Sequence, residues 1–230
     1  MKSFFAKIGI KQINSDLYAE ALTHNSYSNE NRRAKNYQRL EFLGDAILQQ
    51  KVSEYLFKNY PKSNEGILTK YRSSIVRQET LAKLSRAIGL GNYIRLGIGE
   101  HEAKGYEKDT ILADVYESVT AAIYLDLGND ALNNWLNQTI FNKNNLNNFL
   151  DSIRDFKSEL QELIQIDKRS DLSYIIANQE KIHENKILFT VNCILDGMIY
   201  GIGEGFNKKQ AEQQAAKNAL SKIKTVKNIK

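Results

Sequence analysis

Two apolar stretches of this 230-residue chain each carry a pair of acids at helical spacing. The first runs Leu40-Glu41-Phe42-Leu43-Gly44-Asp45-Ala46-Ile47-Leu48. It is apolar nearly all round, the pattern of a buried helix, yet Glu41 and Asp45 lie inside it four residues apart, on one face. The second runs from Ile111 to Leu125 and holds Asp114 and Glu117, three residues apart and again on one face. Carboxylates taken out of water are costly unless something compensates them. Arg39, immediately before the first stretch, is its nearest cation, and neither stretch holds one itself. Two readings follow. The acids form solvated stripes or pair with distant lysines and arginines, or the four converge on a divalent cation. An oxygen-only donor set suits Mg²⁺ or Mn²⁺.

Other chemistries find no support in the residue pattern. His24, His101 and His183 have no metal-ligand spacing, and no G-x-S-x-G elbow is present. Gly201-x-Gly203-x-Gly205 lacks the spacing and βαβ context of a dinucleotide fingerprint. The lone Cys193 can make neither an internal disulfide nor a cysteine-rich zinc site, and a reducing cytoplasm is the simplest compartment. No apolar run approaches the ~18 residues of a membrane span, and the N-terminus does not read as a secretory signal.

The elements that must position the acids are helical. Asn36 to Asn59 reads as one long helix, ended at Tyr60-Pro61. Ser63 or Asn64 can cap the next helix, where Glu65 would complement the dipole. Thr80 to Ile88 reads as helix, Asn92 to Tyr106 as loop, and 109–127 and 130–141 as two further helices. After an Asn-rich stretch the texture changes. Asp155 to Ile166 is an amphipathic helix; Leu172 to Asn178 and Lys186 to Leu195 are β-like; Asp196-Gly197 is a hairpin turn; Met198 to Ile202 returns; and Lys208 to Ile223 is a last helix with Ala211, Ala215 and Ala219 on one side. The order of this last third is α-β-β-β-α.

The chain's net charge of +5 is concentrated. Residues 197–230 hold seven lysines against two glutamates, while the remainder is balanced. A basic element of this kind suits a polyanion, and equally suits a lysine-rich helix end.

Taken together, the motifs resemble the ribonuclease III family. Tyr37-Gln38-Arg39-Leu40-Glu41-Phe42-Leu43-Gly44-Asp45-Ala46 is similar to that family's signature, with Gln38 where the family usually has Glu. Ala21-Leu22-Thr23-His24 resembles the segment that precedes it, Glu65-Gly66 falls where the family has an acid, and Asp114-Val115-Tyr116-Glu117 resembles the second acidic motif. Lys157 to Glu162, which includes Gln161, and Lys208 to Gln213 resemble the two helices of a double-stranded-RNA-binding domain.

The resemblance implies two domains: an all-α catalytic domain over 1–148, a linker at 149–154, an α+β (α-β-β-β-α) RNA-binding domain over 155–225 and a basic tail at 226–230. It also implies an endoribonuclease cutting double-stranded RNA, leaving 5′-phosphates and short 3′ overhangs, with a role in processing ribosomal and messenger RNA. Glu41, Asp45, Asp114 and Glu117 would hold Mg²⁺, Asp45 and Glu117 being catalytic, with Gln38 and Glu65 at the periphery. Lys208, Lys209, Gln161 and His183, the last in a loop between strands, would contact RNA. The implied partners are RNA duplexes and a second copy of the chain, with no membrane and no small-molecule cofactor beyond the metal. The alternative is an RNA-binding protein whose catalytic domain is degenerate.

Overall fold

The computed structural model describes residues 5, 9–11, 13–142, 144–146, 149, 155–165, 171–183 and 186–227. The chain divides into two compact units, Met1–Ile153 and Arg154–Lys230. The expected linker at 149–154, apart from Phe149, and the last three residues of the expected tail lie outside the described residues.

The first unit is built from α1 (Ser15–Ala21), α2 (Asn25–Glu30), α3 (Gln38–Asn59), α4 (Glu65–Val76), α5 (Gln78–Ala87), α6 (Ile98–Glu102) and α7 (Asp109–Thr139). Helix α3 starts on Tyr37, and α4 is capped by Asn64, whose side chain accepts from Ile67 N at 3.0 Å. Helix α7 is broken at Gly128, where φ is 75° and ψ −166°, a backbone open chiefly to glycine. The break lets the second half fold back on the first. Tyr116 and Trp135 pack at 5.2 Å between ring centres, the Tyr116 hydroxyl meets Thr139 Oγ1 at 2.6 Å, and Trp135 Nε1 donates to Thr120 Oγ1 at 3.0 Å. Every polar group in this buried seam is therefore partnered. The 92–106 stretch, expected as loop, contains α6 and is overlapped at its two ends by single 3₁₀ turns, Leu90–Tyr93 and Gly105–Glu107. Turns this short bury too little apolar surface to leave a periodic signal.

Helices α3 and α7 carry the acids and pack directly on each other. Their closest approach is at Gly44: a Cβ there would stand 2.0 Å from the carbonyl oxygen of Glu117. Helix α3 is not buried all round, contrary to the expectation from its composition. Leu40, Gly44, Ile47 and Leu48 face the core, while Asp45 and Ala46 are exposed and Phe42 is 81% exposed.

The second unit is α8 (Phe156–Gln165), a three-stranded antiparallel sheet in the order β1 (Leu172–His183), β2 (Lys186–Leu195), β3 (Met198–Gly205), and α9 (Lys208–Lys227). The hairpin turn has Asp196 and Gly197 both at positive φ, as a type I′ turn requires. The 201–205 glycines allow β3 to lie against α9. A Cβ on Gly201 or Gly203 would stand 2.2 and 2.1 Å from the Ala215 backbone. The glycine alternation of a strand thus meets the four-residue alanine repeat of a helix. Strand β1 continues to His183, five residues beyond the expected end. The extra length pairs with the start of β2 past a bulge after Ile176, and its residues Gln179 to Lys181 are exposed and polar, without the apolar alternation that marks a strand in sequence. His183 is thus the last residue of β1 and not a loop residue.

Candidate active site

The four acids occupy the seam between α3 and α7. On α7, Asp114 and Glu117 are the partly exposed positions in a run from Ile111 to Ile123 that is otherwise buried. They open a polar window in an apolar helix. On α3, Glu41 is partly exposed and Asp45 exposed. The contact at Gly44 sets the spacing, because it brings the backbone of one acid, Glu117, against the residue that precedes another, Asp45.

The electrostatics show how closely these groups act on one another. Burial pushes the Glu117 carboxyl up to about 8, and the charges of Asp45, Asp114 and Glu41 push in the same direction. Burial likewise raises Glu41, with Asp114 and Asp45 adding to it. Burial raises Asp114 too, opposed by a hydrogen bond from Tyr37 and by His24. None of the four makes an ion pair among the described residues. The four carboxylates, two of them set in an apolar helix, offer oxygen donors of the kind a divalent ion takes. Among the described residues no three such side chains close on a common point.

Neutral groups hold two of the acids. The Tyr37 hydroxyl donates to Asp114 Oδ2 at 3.1 Å, and Gln49 Nε2 donates to Asp45 Oδ1 at 3.3 Å. Burial, followed by the charge of Asp114, raises the Tyr37 phenol far above its ordinary value, so it stays a donor. His24 lies beside Tyr37 with 5.8 Å between ring centres, and its Nδ1 contacts Ser26 Oγ at 2.8 Å. Burial lowers the His24 pKa, against the pull of Glu100 and Asp114.

The peripheral candidates stand elsewhere. Glu65, exposed at the start of α4, accepts from Thr69 Oγ1 at 2.9 Å. Gln38 is exposed at the first turn of α3, its N–H directed to Asn36 Oδ1 at 3.3 Å. Neither hydrogen-bonds to the four acids among the described residues. Sequence reasoning missed Tyr37 and Gly44 as parts of the site. Tyr37 precedes Glu41 by one turn, which was a usable signal; nothing local in the sequence pairs it with Asp114, 77 residues away.

In the second unit, Lys208 and Lys209 lie exposed in the first turn of α9, capped by Asn207, whose Oδ1 accepts from Gln210 N at 2.9 Å. Neither lysine has an ion-pair partner among the described residues. Gln161 is exposed on α8. Lys157, by contrast, is engaged: its Nζ is 2.7 Å from Glu212 and 4.6 Å from the centre of the Tyr174 ring. Gln213 on α9 accepts from Phe156 N at 2.7 Å and so ties α9 to the start of α8.

Residues 14–144 match the family model described as ribonuclease-III-like, and residues 156–223 match the double-stranded RNA binding motif. The chain is 53% identical to the ribonuclease 3 of Mesoplasma florum, covering 97% of both chains. It is 46% identical to that of Spiroplasma citri, over 98% of this chain and 91% of the relative. Among solved structures, the nuclease domain of ribonuclease III from Campylobacter jejuni, described for structural flexibility in a region involved in dimer formation, aligns with a TM-score of 0.55 at 34% identity. It covers 59% of this chain and 92% of that one.

Proposed function

The chain belongs to the ribonuclease III family, and on that premise we propose that it is a double-strand-specific endoribonuclease whose hydrolytic site is the α3–α7 seam. The family carries divalent-metal dependence; the oxygen-only donors support Mg²⁺ as the metal, with Mn²⁺ as a substitute. The observation that carries this reading is the set of four coupled acids, with Glu117 raised to about 8. Such perturbation by desolvation and like charge, at an opening in the surface, marks functional sites.

Glu41, Asp45, Asp114 and Glu117 would hold the ion. Bound there, a divalent cation polarises a phosphate and lowers the pKa of water. Asp45 and Glu117 are assigned as catalytic, Asp45 from the exposed side of the seam and Glu117 from its buried side. Unneutralised, the acids repel the phosphodiester backbone, so binding of metal and of RNA at the cut position are coupled. Gln38 and Glu65 act from the periphery. Lys208 and Lys209 meet phosphates with the favourable end of the α9 dipole, with Gln161 and His183 as further RNA contacts. The boundaries 1–148 and 155–225 are proposed for the two functional domains.

Cutting both strands calls for two sites related by a two-fold axis, and a homodimer provides them. Exposed Phe42, beside Glu41, offers an apolar surface for a second copy. The products would be 5′-phosphate ends with short 3′ overhangs, and precursor ribosomal and messenger RNA the substrates. No helix among the described residues is long and apolar enough to cross a membrane, and the lone thiol fits a reducing cytoplasm.

Incubation of the purified protein with a long RNA duplex tests this reading. Short duplex fragments should form with Mg²⁺ and not with EDTA. An intact duplex after Mg²⁺ addition would overturn it.

A further inference from the structure

We infer that Tyr37 is a positioning residue that fixes Asp114 for metal binding and ties the two acid-bearing helices together. The inference rests on the reading of the four acids as metal ligands and extends it to a residue outside that set.

Three connections meet at Tyr37. Its N–H donates to Thr23 O at 2.9 Å, its carbonyl accepts from Glu41 N at 2.8 Å, and its hydroxyl donates to Asp114 Oδ2 at 3.1 Å. The residue is only 3% exposed. Its backbone thus sits on the α3 side of the seam, hydrogen-bonded to the residue that bears one acid, while its hydroxyl grips another acid on α7. The His24 ring beside it is fixed in turn, since Ser26 Oγ contacts His24 Nδ1 and accepts from Gly97 N at 2.9 Å.

The chemistry favours positioning over filling. A phenol is neutral, so it contributes one donor without adding charge to a crowded cluster. It engages Oδ2 of Asp114 and leaves Oδ1 available. Without that bond, the carboxylate would turn away from its three like-charged neighbours, and binding an ion would have to reverse that rotation. Groups that orient metal ligands in this way commonly alter affinity or activity by 10–100-fold when removed. Gln49 makes the equivalent bond to Asp45, but from a more open position and at 3.3 Å, so its loss should matter less.

The test uses the full-length protein as wild type, Tyr37→Phe, Asp114→Asn and the double variant. Mn²⁺ affinity is measured without RNA, by the paramagnetic resonance of the free ion. Cleavage is measured against Mg²⁺ concentration. Tyr37→Phe should weaken Mn²⁺ binding and raise the half-saturating Mg²⁺ by about tenfold or more, while cleavage at saturating Mg²⁺ stays within about threefold. In the Asp114→Asn background, loss of the hydroxyl should change Mn²⁺ affinity by less than about twofold. Equal Mn²⁺ affinity in wild type and Tyr37→Phe would overturn the positioning role alone. Absence of Mn²⁺ binding in wild type would overturn the metal reading and this inference with it. If phenylalanine impairs folding, 4-aminophenylalanine and 4-methylphenylalanine at position 37 fill the same space with and without a donor. The former should keep the wild-type midpoint and the latter lose it; identical midpoints would refute the inference.

Discussion

The two units handle charge in opposite ways. The first gathers four acids in a seam where burial raises the pKa values of Glu41, Asp114 and Glu117. The second sets positive charge on exposed positions such as Lys208 and Lys209, where water solvates it and no shape is needed to hold it. Charge that must do chemistry is confined and made costly; charge that must attract a long polyanion is left open and inexpensive. Both units use glycine for close packing, but with different consequences. Gly44 sets the distance between the acid-bearing helices, whereas Gly201 and Gly203 let a sheet lie against a helix.

Gly44→Ala should give the largest separation between the units. Its methyl group would meet the Glu117 backbone, so α3 and α7 must move apart. Overpacking of this kind costs about 1–3 kcal/mol, and the displaced acids should lower cleavage by on the order of a hundredfold, about 2.7 kcal/mol in barrier. Duplex affinity should hold. Calorimetry with a gel-based cleavage assay checks both, and cleavage at the wild-type rate would show that the Gly44 contact does not set the site.

Lys208→Glu with Lys209→Glu should do the reverse. Duplex binding should weaken across all sequences, and the salt dependence should flatten, because about two fewer phosphate contacts release counterions. An unchanged affinity and slope in a filter-binding titration would remove this turn of α9 from the RNA face.

A smaller effect concerns stability without metal. The folded Glu117 carboxyl is raised from its ordinary 4.5 to about 8, and Glu41 and Asp114 are raised too. The folded state therefore holds these protons more tightly than the unfolded state. That contribution is full below the unfolded pKa and is lost as pH rises toward 8. In EDTA, the Tm of the nuclease unit should fall between pH 6 and 8.5. Mg²⁺ should restore it, and Glu117→Gln should flatten the fall. A pH-independent difference between wild type and Glu117→Gln would contradict the raised Glu117.

The smallest effect expected is at Gln38. It lies exposed, away from hydrogen bonds to the acids, so Gln38→Glu should change cleavage by no more than roughly tenfold, about 1.4 kcal/mol. An inert wild type that gains Mg²⁺-dependent cleavage on this substitution would favour the alternative of a non-cleaving RNA-binding protein.

The acid pairs were legible in the sequence because helical spacing is local: 41 with 45 and 114 with 117 need only one turn each. The α-β-β-β-α order was legible for the same reason, through alternation in β2 and the Asp196-Gly197 turn. What escaped was tertiary. The hydroxyl of Tyr37 reaches Asp114 across 77 residues, and the Cβ space denied at Gly44 belongs to another helix. The exposure of Phe42 escaped because an apolar residue in an apolar run reads as core, although helix geometry turns it from the Gly44 face. Strand β1 ran past Asn178 because backbone pairing with β2 extends a strand whose outer residues carry no apolar pattern.

The division of labour is tested most directly by Glu117→Gln on one labelled RNA duplex, with binding and cleavage measured in the same Mg²⁺ buffer. The substitution removes one ionisable carboxyl from the acid seam and leaves the lysines of α9 untouched. Duplex affinity within about threefold of wild type, with cleavage reduced by more than a hundredfold (about 2.7 kcal/mol), is the predicted result. Cleavage within tenfold of wild type would contradict the assignment of the seam as the catalytic site.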